Sequence, residues 1–245
     1  MTWGSFGICH IATLILAIGI IVGLYFLLRN RSDKVKIAVL GVLSFSGIAA
    51  ILFNLLAWGT PLEYLPLHLC SLNAMVLPIA VFTRNKTLNN LLLLWSIGAF
   101  FALVINTSVA GAKILSWTFV FYYFPHVLEM GIPILMFLLG LVKKDPRCIL
   151  STVGITLGAY TVIHFINLGV NRLAAAHSIK NPAGEIVSVN YMYSIRPENP
   201  LLDLFYRLIP HAYWYMFLCV IVVVVYLGLV YLNDFIRMAR AKKRA

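Results

Sequence analysis

The sequence has few charged residues and very few acids. Only 11% of its 245 residues are charged, with eight Asp and Glu in total, whereas 62% are hydrophobic. Soluble domains are about 25% charged, so this scarcity excludes an ordinary soluble domain. The chain instead contains apolar runs of about 18 residues or more, each long enough to cross a bilayer. The composition therefore predicts an all-α, polytopic integral membrane protein.

The apolar runs predict about seven transmembrane helices. They cover residues 8–28, 36–58, 65–82, 88–107, 117–142, 149–171 and 211–232. Residues 172–210 form the long segment between the sixth and seventh spans, and its turn residues and aromatics predict an ordered extracytoplasmic loop. Because the sequence has no internal repeat, we expect one integral membrane domain over residues 1–245.

The positive charges predict the orientation of these spans. Fourteen of the nineteen Lys and Arg lie in the first, third and fifth connections or in the C-terminal tail, all on one side of the predicted bundle. The positive-inside rule then places the N-terminus outside and the C-terminus in the cytoplasm of a multi-pass cell-membrane protein. The same placement accounts for the net charge of +11, so we expect no nucleic-acid partner.

The cysteines and histidines show no metal-ligand spacing. The four Cys and six His contain no pair at the spacing of a zinc site, so the sequence predicts no metal and no cofactor. His10, His164 and His211 lie at span ends, where polar tips at the membrane interface are the favoured interpretation. A retinal protein is excluded, because the seventh span has no lysine for a Schiff base.

Three residues of chemically reactive types lie in the predicted outer half of the bundle. Cys70 is five residues into the third span, about 7–8 Å deep, and His126 is nine residues into the fifth, about 13 Å deep. Glu129 is the acid within a predicted span and follows His126 by three residues, hence on the same helix face. Ionisable groups inside a membrane are costly and normally mark a site or a pathway.

These residue types fit nucleophilic catalysis, but each also has a purely structural interpretation. A thiolate is a strong nucleophile, a histidine can take its proton, and a carboxylate can orient that histidine. Asn73, on the same face as Cys70, could steady an oxyanion. Alternatively, Cys70 is a small packing residue, His126 and Glu129 are a polar pair that joins two helices, and Asn73 is an interhelical hydrogen-bonding residue.

Three stretches resemble the YwaF-type family of integral membrane proteins. They are LPLHLCSLNAMVLP at 65–78, FPHVLEMGIPILM at 124–136 and NYMYSIRPENPLLDLFYRLIPHAYWY at 190–215. Together with the number of spans, the resemblance covers most of the chain. Its eukaryotic relatives include a transmembrane acyltransferase that acts on ether phospholipids through a cysteine. More distant relatives are the androgen-inducible lipid hydrolases, which use a threonine and a histidine.

The resemblance implies an enzyme that acts on membrane phospholipids. It implies Cys70 as the nucleophile, with His126 as its partner and Glu129 beside it. The same stretches supply candidate lipid-binding residues, namely His68, Asn73, Asn190, Tyr191 and Tyr193. If the site faces the outer leaflet, cytoplasmic acyl-coenzyme A cannot reach it. The reaction is then lipid-to-lipid acyl transfer, or hydrolysis of an acyl-cysteine.

Two other classes of function stay open at this point. A small-solute transporter or permease could use His126 and Glu129 to relay protons, although the proline–glutamine signature of seven-span sugar exporters is missing from the first and fifth spans. A receptor or structural membrane protein would need none of these residues for chemistry.

Overall fold

The structure is a computed structural model that describes residues 1–57, 60–105 and 109–242. Within these residues the chain forms nine α-helices and three short 3-10 turns and contains no β-strand. The helices are α1 (Ile8–Leu28), α2 (Asp33–Ser44), α3 (Ser46–Ala57), α4 (Leu69–Thr83), α5 (Lys86–Val104), α6 (Trp117–Leu138), α7 (Ile149–Ala176), α8 (Pro200–Leu208) and α9 (Cys219–Lys242). The predicted all-helical fold is confirmed.

Six helical segments of the described chain are long and apolar enough to cross a membrane. They are Ile8–Leu28, Asp33–Ala57, Lys86–Val104, Trp117–Leu138, Pro146–Ala176 and Trp214–Arg240. The prediction of a polytopic membrane protein is therefore confirmed. The third predicted span corresponds to α4, whose 15 residues measure about 22 Å at 1.5 Å per residue. Seven spans and an outward N-terminus stay predictions.

Several predicted boundaries differ from the structure for local reasons. The second span is divided at Phe45, whose N–H donates to the Val42 carbonyl at 3.2 Å instead of continuing the regular pattern. The third begins four residues later than predicted, after His68, whose extended backbone precedes the first helical turn. The sixth continues to Ala176. The predicted span ends at 58 and 107 and the tail residues 243–245 lie outside the described residues.

The described chain divides into two compact units. The first comprises Met1–Lys143 with Asn181–Ala183, and the second Lys144–Lys180 with Gly184–Ala245. In the first unit, α6 is the central helix, because it packs against each of the helices α1 to α5. It runs without interruption through Pro125 and Pro133. The prediction of a single integral domain stays a prediction.

The N-terminal residues of the first unit are fixed by His10, which is fully buried. Its Nδ1 accepts a hydrogen bond from the Phe6 N–H at 2.8 Å, so the proton is on Nε2, which donates to the Leu103 carbonyl at 2.7 Å. Trp3 is also buried and donates from Nε1 to Thr13 Oγ1 at 2.8 Å. His10 is therefore a structural residue with both ring nitrogens occupied, rather than an interfacial polar tip.

Close helix packing in the first unit depends on two glycines. A Cβ placed on Gly47 of α3 would lie 2.5 Å from the Ala74 Cβ of α4 and 2.9 Å from Oε1 of Glu129 in α6. A Cβ on Gly131 of α6 would lie 2.6 Å from Cγ1 of Ile21 in α1. All three distances are shorter than van der Waals contact. Small residues at such positions let helix backbones approach closely in membranes.

We expect Gly47→Ala to destabilise the protein by about 1–3 kcal/mol, because the added methyl group must push α3 away from α4 and α6. Thermal unfolding of the purified protein in detergent micelles measures the change. Gly23→Ala is the matched control, because nothing lies within 4 Å of a Cβ at that position in α1. Equal unfolding temperatures for Gly47→Ala and the wild type would contradict the close packing of these three helices.

Candidate active site

Cys70 lies in the first turn of α4, on the same helix face as Asn73, which contacts the central helix α6. The Cys70 thiol is free and half-buried. Asn73 follows one turn later on the same helix face and is only 1% exposed. Its Nδ2 donates a long hydrogen bond, 3.5 Å, to the backbone carbonyl of Glu129. This bond joins α4 to α6 at Glu129, on the face of α4 that also carries Cys70.

Glu129 lies at the meeting point of three helices. Its side chain is 3% exposed, and Oε1 occupies the space left by the missing side chain of Gly47. The Cβ of Ala74, one helical turn after Cys70 on α4, lies beside the same space. The structure therefore brings Glu129 next to the predicted binding residue Asn73, on the part of α4 that also carries Cys70.

Two polar atoms of this cluster lack a hydrogen-bond donor. Asn73 Oδ1 and Glu129 Oε2 are both buried, and neither has a partner among the described residues. Glu129 also forms no ion pair with any cation in the part of the chain that the structure describes. A buried acceptor without a donor costs about 1–3 kcal/mol. The cluster is consequently ready to receive a proton or a ligand with a donor group.

His126 lies one turn before Glu129 on α6 and is 8% exposed. Its Nδ1 is 2.7 Å from the Tyr122 carbonyl, and its ring packs against that of Tyr122, with 4.3 Å between the centroids. Since a carbonyl only accepts, Nδ1 carries the hydrogen, and in the neutral ring Nε2 keeps its lone pair. The Tyr122 carbonyl thus orients the ring through Nδ1, a role for which the sequence analysis considered a carboxylate.

No hydrogen bond joins Cys70 to His126 within the described residues. The two residues lie on adjacent packed helices, α4 and α6. The lone pair on Nε2 is also not engaged by any other residue that the structure describes. The direct pairing of this thiol and imidazole stays a prediction.

His68 immediately precedes α4, two residues before Cys70. His68 is a half-buried side chain at the start of the helix that carries the thiol. Lipid binding by His68 stays a prediction.

The other predicted binding residues, Asn190, Tyr191 and Tyr193, belong to the second unit. Their polar groups form hydrogen bonds with other residues of that unit. Asn190 Oδ1 accepts from the Ile195 N–H at 3.0 Å, and its Nδ2 donates to Glu198 Oε1 at 2.7 Å. The backbone carbonyl of Tyr193 accepts from the Tyr215 hydroxyl. Tyr191 is fully buried. These contacts fasten the loop internally, and lipid binding by these three residues stays a prediction.

Sequence reasoning missed a polar stripe on α7 that holds this loop. Asn171 bonds both backbone groups of Val189, and Asn167 does the same for Tyr191, at 2.8 and 3.0 Å. His164 Nδ1 is 3.0 Å from Ser194 Oγ. Polar residues at 160, 164, 167 and 171 lie on one helix face, and this spacing within an apolar span is the signal that could have revealed the stripe.

The same stripe explains two unusual backbone conformations. Met192 and Tyr193 have positive φ values, 51° and 55°, which cost a non-glycine residue about 1–3 kcal/mol. Asn167 bonds Tyr191, the residue before this pair. Asn167 and His164 both bond Ser194, the residue after it. These hydrogen bonds offset the cost of the two conformations. The loop that the sequence predicted as ordered is therefore ordered by α7 side chains.

Comparison with known proteins identifies the family of this chain. The sequence model of the TMEM164 family matches residues 5–231, so the chain belongs to the TMEM164 family. The match spans the residues of both units. No curated protein and no solved structure matches the chain.

We expect Asn167→Ala to loosen the loop, because the substitution removes its hydrogen bonds to Tyr191 and Ser194. Losing about 1.4 kcal/mol of local stability raises amide exchange about tenfold, which hydrogen exchange with mass spectrometry detects over residues 188–195. Ser151→Ala is the control on the same helix, since Ser151 bonds only the Cys148 carbonyl. Unchanged exchange over 188–195 in Asn167→Ala would contradict the role of the stripe.

Proposed function

We propose that this member of the TMEM164 family is a membrane-lipid acyltransferase or acyl hydrolase with Cys70 as its nucleophile. The observation that carries the proposal is the cluster of Cys70, Asn73 and Glu129 at the contact of α4 with α6. It combines a free thiol in the first turn of α4 with a buried carboxyl group of α6, and one oxygen each of Glu129 and Asn73 has no donor among the described residues. Polar groups within membrane helices are costly and are retained where they act.

The resemblance to the YwaF-type proteins supports the same chemistry. Its first two stretches, 65–78 and 124–136, contain the residues of this cluster together with His126. The cysteine-dependent acyltransferase among the relatives of those proteins acts on ether phospholipids. By analogy, the substrate class proposed here is a phospholipid whose ester bond reaches the cluster.

The proposed reaction has two halves. In the first, the Cys70 sulfur attacks the ester carbonyl of a donor lipid, a carbon–sulfur bond forms and the bond to the leaving oxygen breaks. His126 takes the thiol proton on Nε2, while the Tyr122 carbonyl holds the ring in the required tautomer. The leaving oxygen takes up a proton from the site and departs as an alcohol. In the second half, the hydroxyl of an acceptor lipid or water attacks the acyl-cysteine, and its proton replaces the one that the leaving oxygen took. The thiolate then recovers its proton from His126.

Transfer and hydrolysis differ only in the molecule that accepts the acyl group. If the N-terminus is outside, as the charge distribution predicts, the cluster lies in the outer half of the membrane. Cytoplasmic acyl-coenzyme A does not reach that depth from inside, so both donor and acceptor are membrane lipids in the transfer reaction. Asn73 steadies the oxyanion in this proposal, through the amide hydrogen of Nδ2 that does not bond the Glu129 carbonyl.

A proton-coupled transporter is the second candidate function. It is favoured by one observation, the buried Oε2 of Glu129 without a hydrogen-bond partner among the described residues, because a proton carrier needs such a group. The two functions make opposite demands on Cys70. A transporter needs no acyl-thioester, and substrate-dependent proton flux would be lost in Glu129→Gln while Cys70→Ala keeps it.

We expect Cys70→Ala to abolish lipid turnover and labelling by a thiol-reactive lipid probe, because the nucleophile is removed. Reconstituted vesicles with wild-type or variant protein provide both measurements. Cys219→Ala is the matched control, since Cys219 is another free, partly buried cysteine in an apolar helix. Wild-type turnover by a Cys70→Ala protein that inserts normally would show the proposed function to be wrong.

A further inference from the structure

The buried acceptors of the active-site cluster have a simple common explanation. Asn73 Oδ1 and Glu129 Oε2 each lack a donor among the described residues, and the Asn73 side chain bonds the backbone carbonyl of Glu129 across α4 and α6. A proton on the Glu129 carboxyl group would supply the donor that the Asn73 amide oxygen lacks. It also removes an unpaired negative charge from a site where Glu129 has no ion-pair partner within the described chain. The resting cluster is then fully neutral.

We propose that Glu129 is the general acid of acyl transfer at Cys70. Its carboxyl group protonates the oxygen that leaves the donor ester, and its carboxylate then takes the proton of the incoming hydroxyl. This inference rests on the proposed function. Asn73 is a positioning residue, because its amide oxygen receives the carboxyl O–H between turnovers.

Proximity to the sulfur is the geometric requirement for this role. The leaving oxygen is bonded to the same carbon that the sulfur attacks, so the acid must lie beside the nucleophile. Oε1 of Glu129 and the Cβ of Ala74 lie on either side of the space above Gly47, so the carboxyl group is at the height of Ala74, one helical turn after Cys70 on α4. The hydrogen bond from Asn73 to the Glu129 carbonyl joins α4 to α6 at the same height. His126 is one turn away and keeps Nε2 for the thiol proton.

The protons balance over the two halves of the reaction. In the first half, the thiol proton goes to His126, and the leaving alkoxide takes the Glu129 proton to become an alcohol. In the second half, the acceptor hydroxyl gives its proton to Glu129 as its oxygen bonds to the acyl carbon, and the departing thiolate takes the proton from His126. Cys70, His126 and Glu129 all return to their starting states.

This role is tested by measuring how much Glu129→Gln slows acylation of Cys70 by two esters that differ in their leaving group. The probes are glycerol monooctanoate, whose alkoxide needs a proton, and 4-nitrophenyl octanoate, whose phenolate is a stable anion that leaves without one. The measurement is the single-turnover rate of acyl-Cys70 formation in detergent micelles. We expect a loss of about 100-fold or more with the glycerol ester and a loss of less than about threefold with the nitrophenyl ester.

Folding of the variant is measured separately. The Gln side chain keeps a donor for Asn73 Oδ1, so the thermal unfolding temperature of Glu129→Gln should match that of the wild type. If Glu129→Gln does not fold, Glu129→Asp serves instead. It keeps the acid but withdraws it by one methylene group, so it should slow the glycerol ester more than the nitrophenyl ester. Glu185→Gln, an exposed glutamate of the second unit, is the matched control and should change neither rate.

The outcomes separate this inference from the proposed function. Equal losses with the two esters, or no loss with either, would overturn the general-acid role of Glu129 while Cys70 remains the nucleophile. Acylation of Cys70→Ser at the wild-type rate with both esters would instead overturn the proposed function itself. Loss confined to the glycerol ester supports the inference.

Discussion

The buried carboxyl group of Glu129 is the feature on which the arrangement of the first unit depends. A carboxyl group in an apolar bundle is tolerated only where space and hydrogen bonds are arranged for it. The missing side chain of Gly47 provides the space, and Asn73 ties the same level of α6 to α4. Because α6 also packs against the other helices of the first unit, this contact joins the central helix to α3 and to α4, the helix that carries Cys70. The stability of the first unit and the proposed chemistry therefore involve the same three-helix contact.

The second unit orders its loop by a different principle. A row of Asn and His side chains on α7 replaces the regular hydrogen bonds that an irregular segment lacks. Asn167 and Asn171 each bond both backbone groups of one loop residue. Met192 and Tyr193, the two residues with positive φ, therefore lie between neighbours that α7 side chains hold in place. The side chain of Asn190 forms hydrogen bonds within the loop. A role in folding therefore explains part of the resemblance in the stretch 190–215.

The sequence was sufficient for the helices but not for the contacts among them. Apolar runs reveal spans because the bilayer demands about twenty apolar residues, and the part of the chain that the structure describes has six such helical segments. The break at Phe45 and the late start of α4 depend on local hydrogen bonds that hydropathy does not report. Glu129 and Cys70 were identifiable as reactive types, yet the close packing of α3 against α4 and Glu129 depends on Gly47, which carries no chemical signal. The Tyr122 carbonyl on His126 was also unpredictable, since a backbone partner leaves no trace in side-chain patterns.

Mass spectrometry of Cys70, after incubation of the reconstituted protein with phospholipid vesicles, shows whether this thiol carries the acyl group. If Cys70 is the nucleophile, the peptide that contains it gains an acyl adduct, bound as a thioester and therefore released by neutral hydroxylamine. Lipid turnover with Cys70 unmodified at all times, or with a hydroxylamine-resistant adduct on another residue, would contradict it.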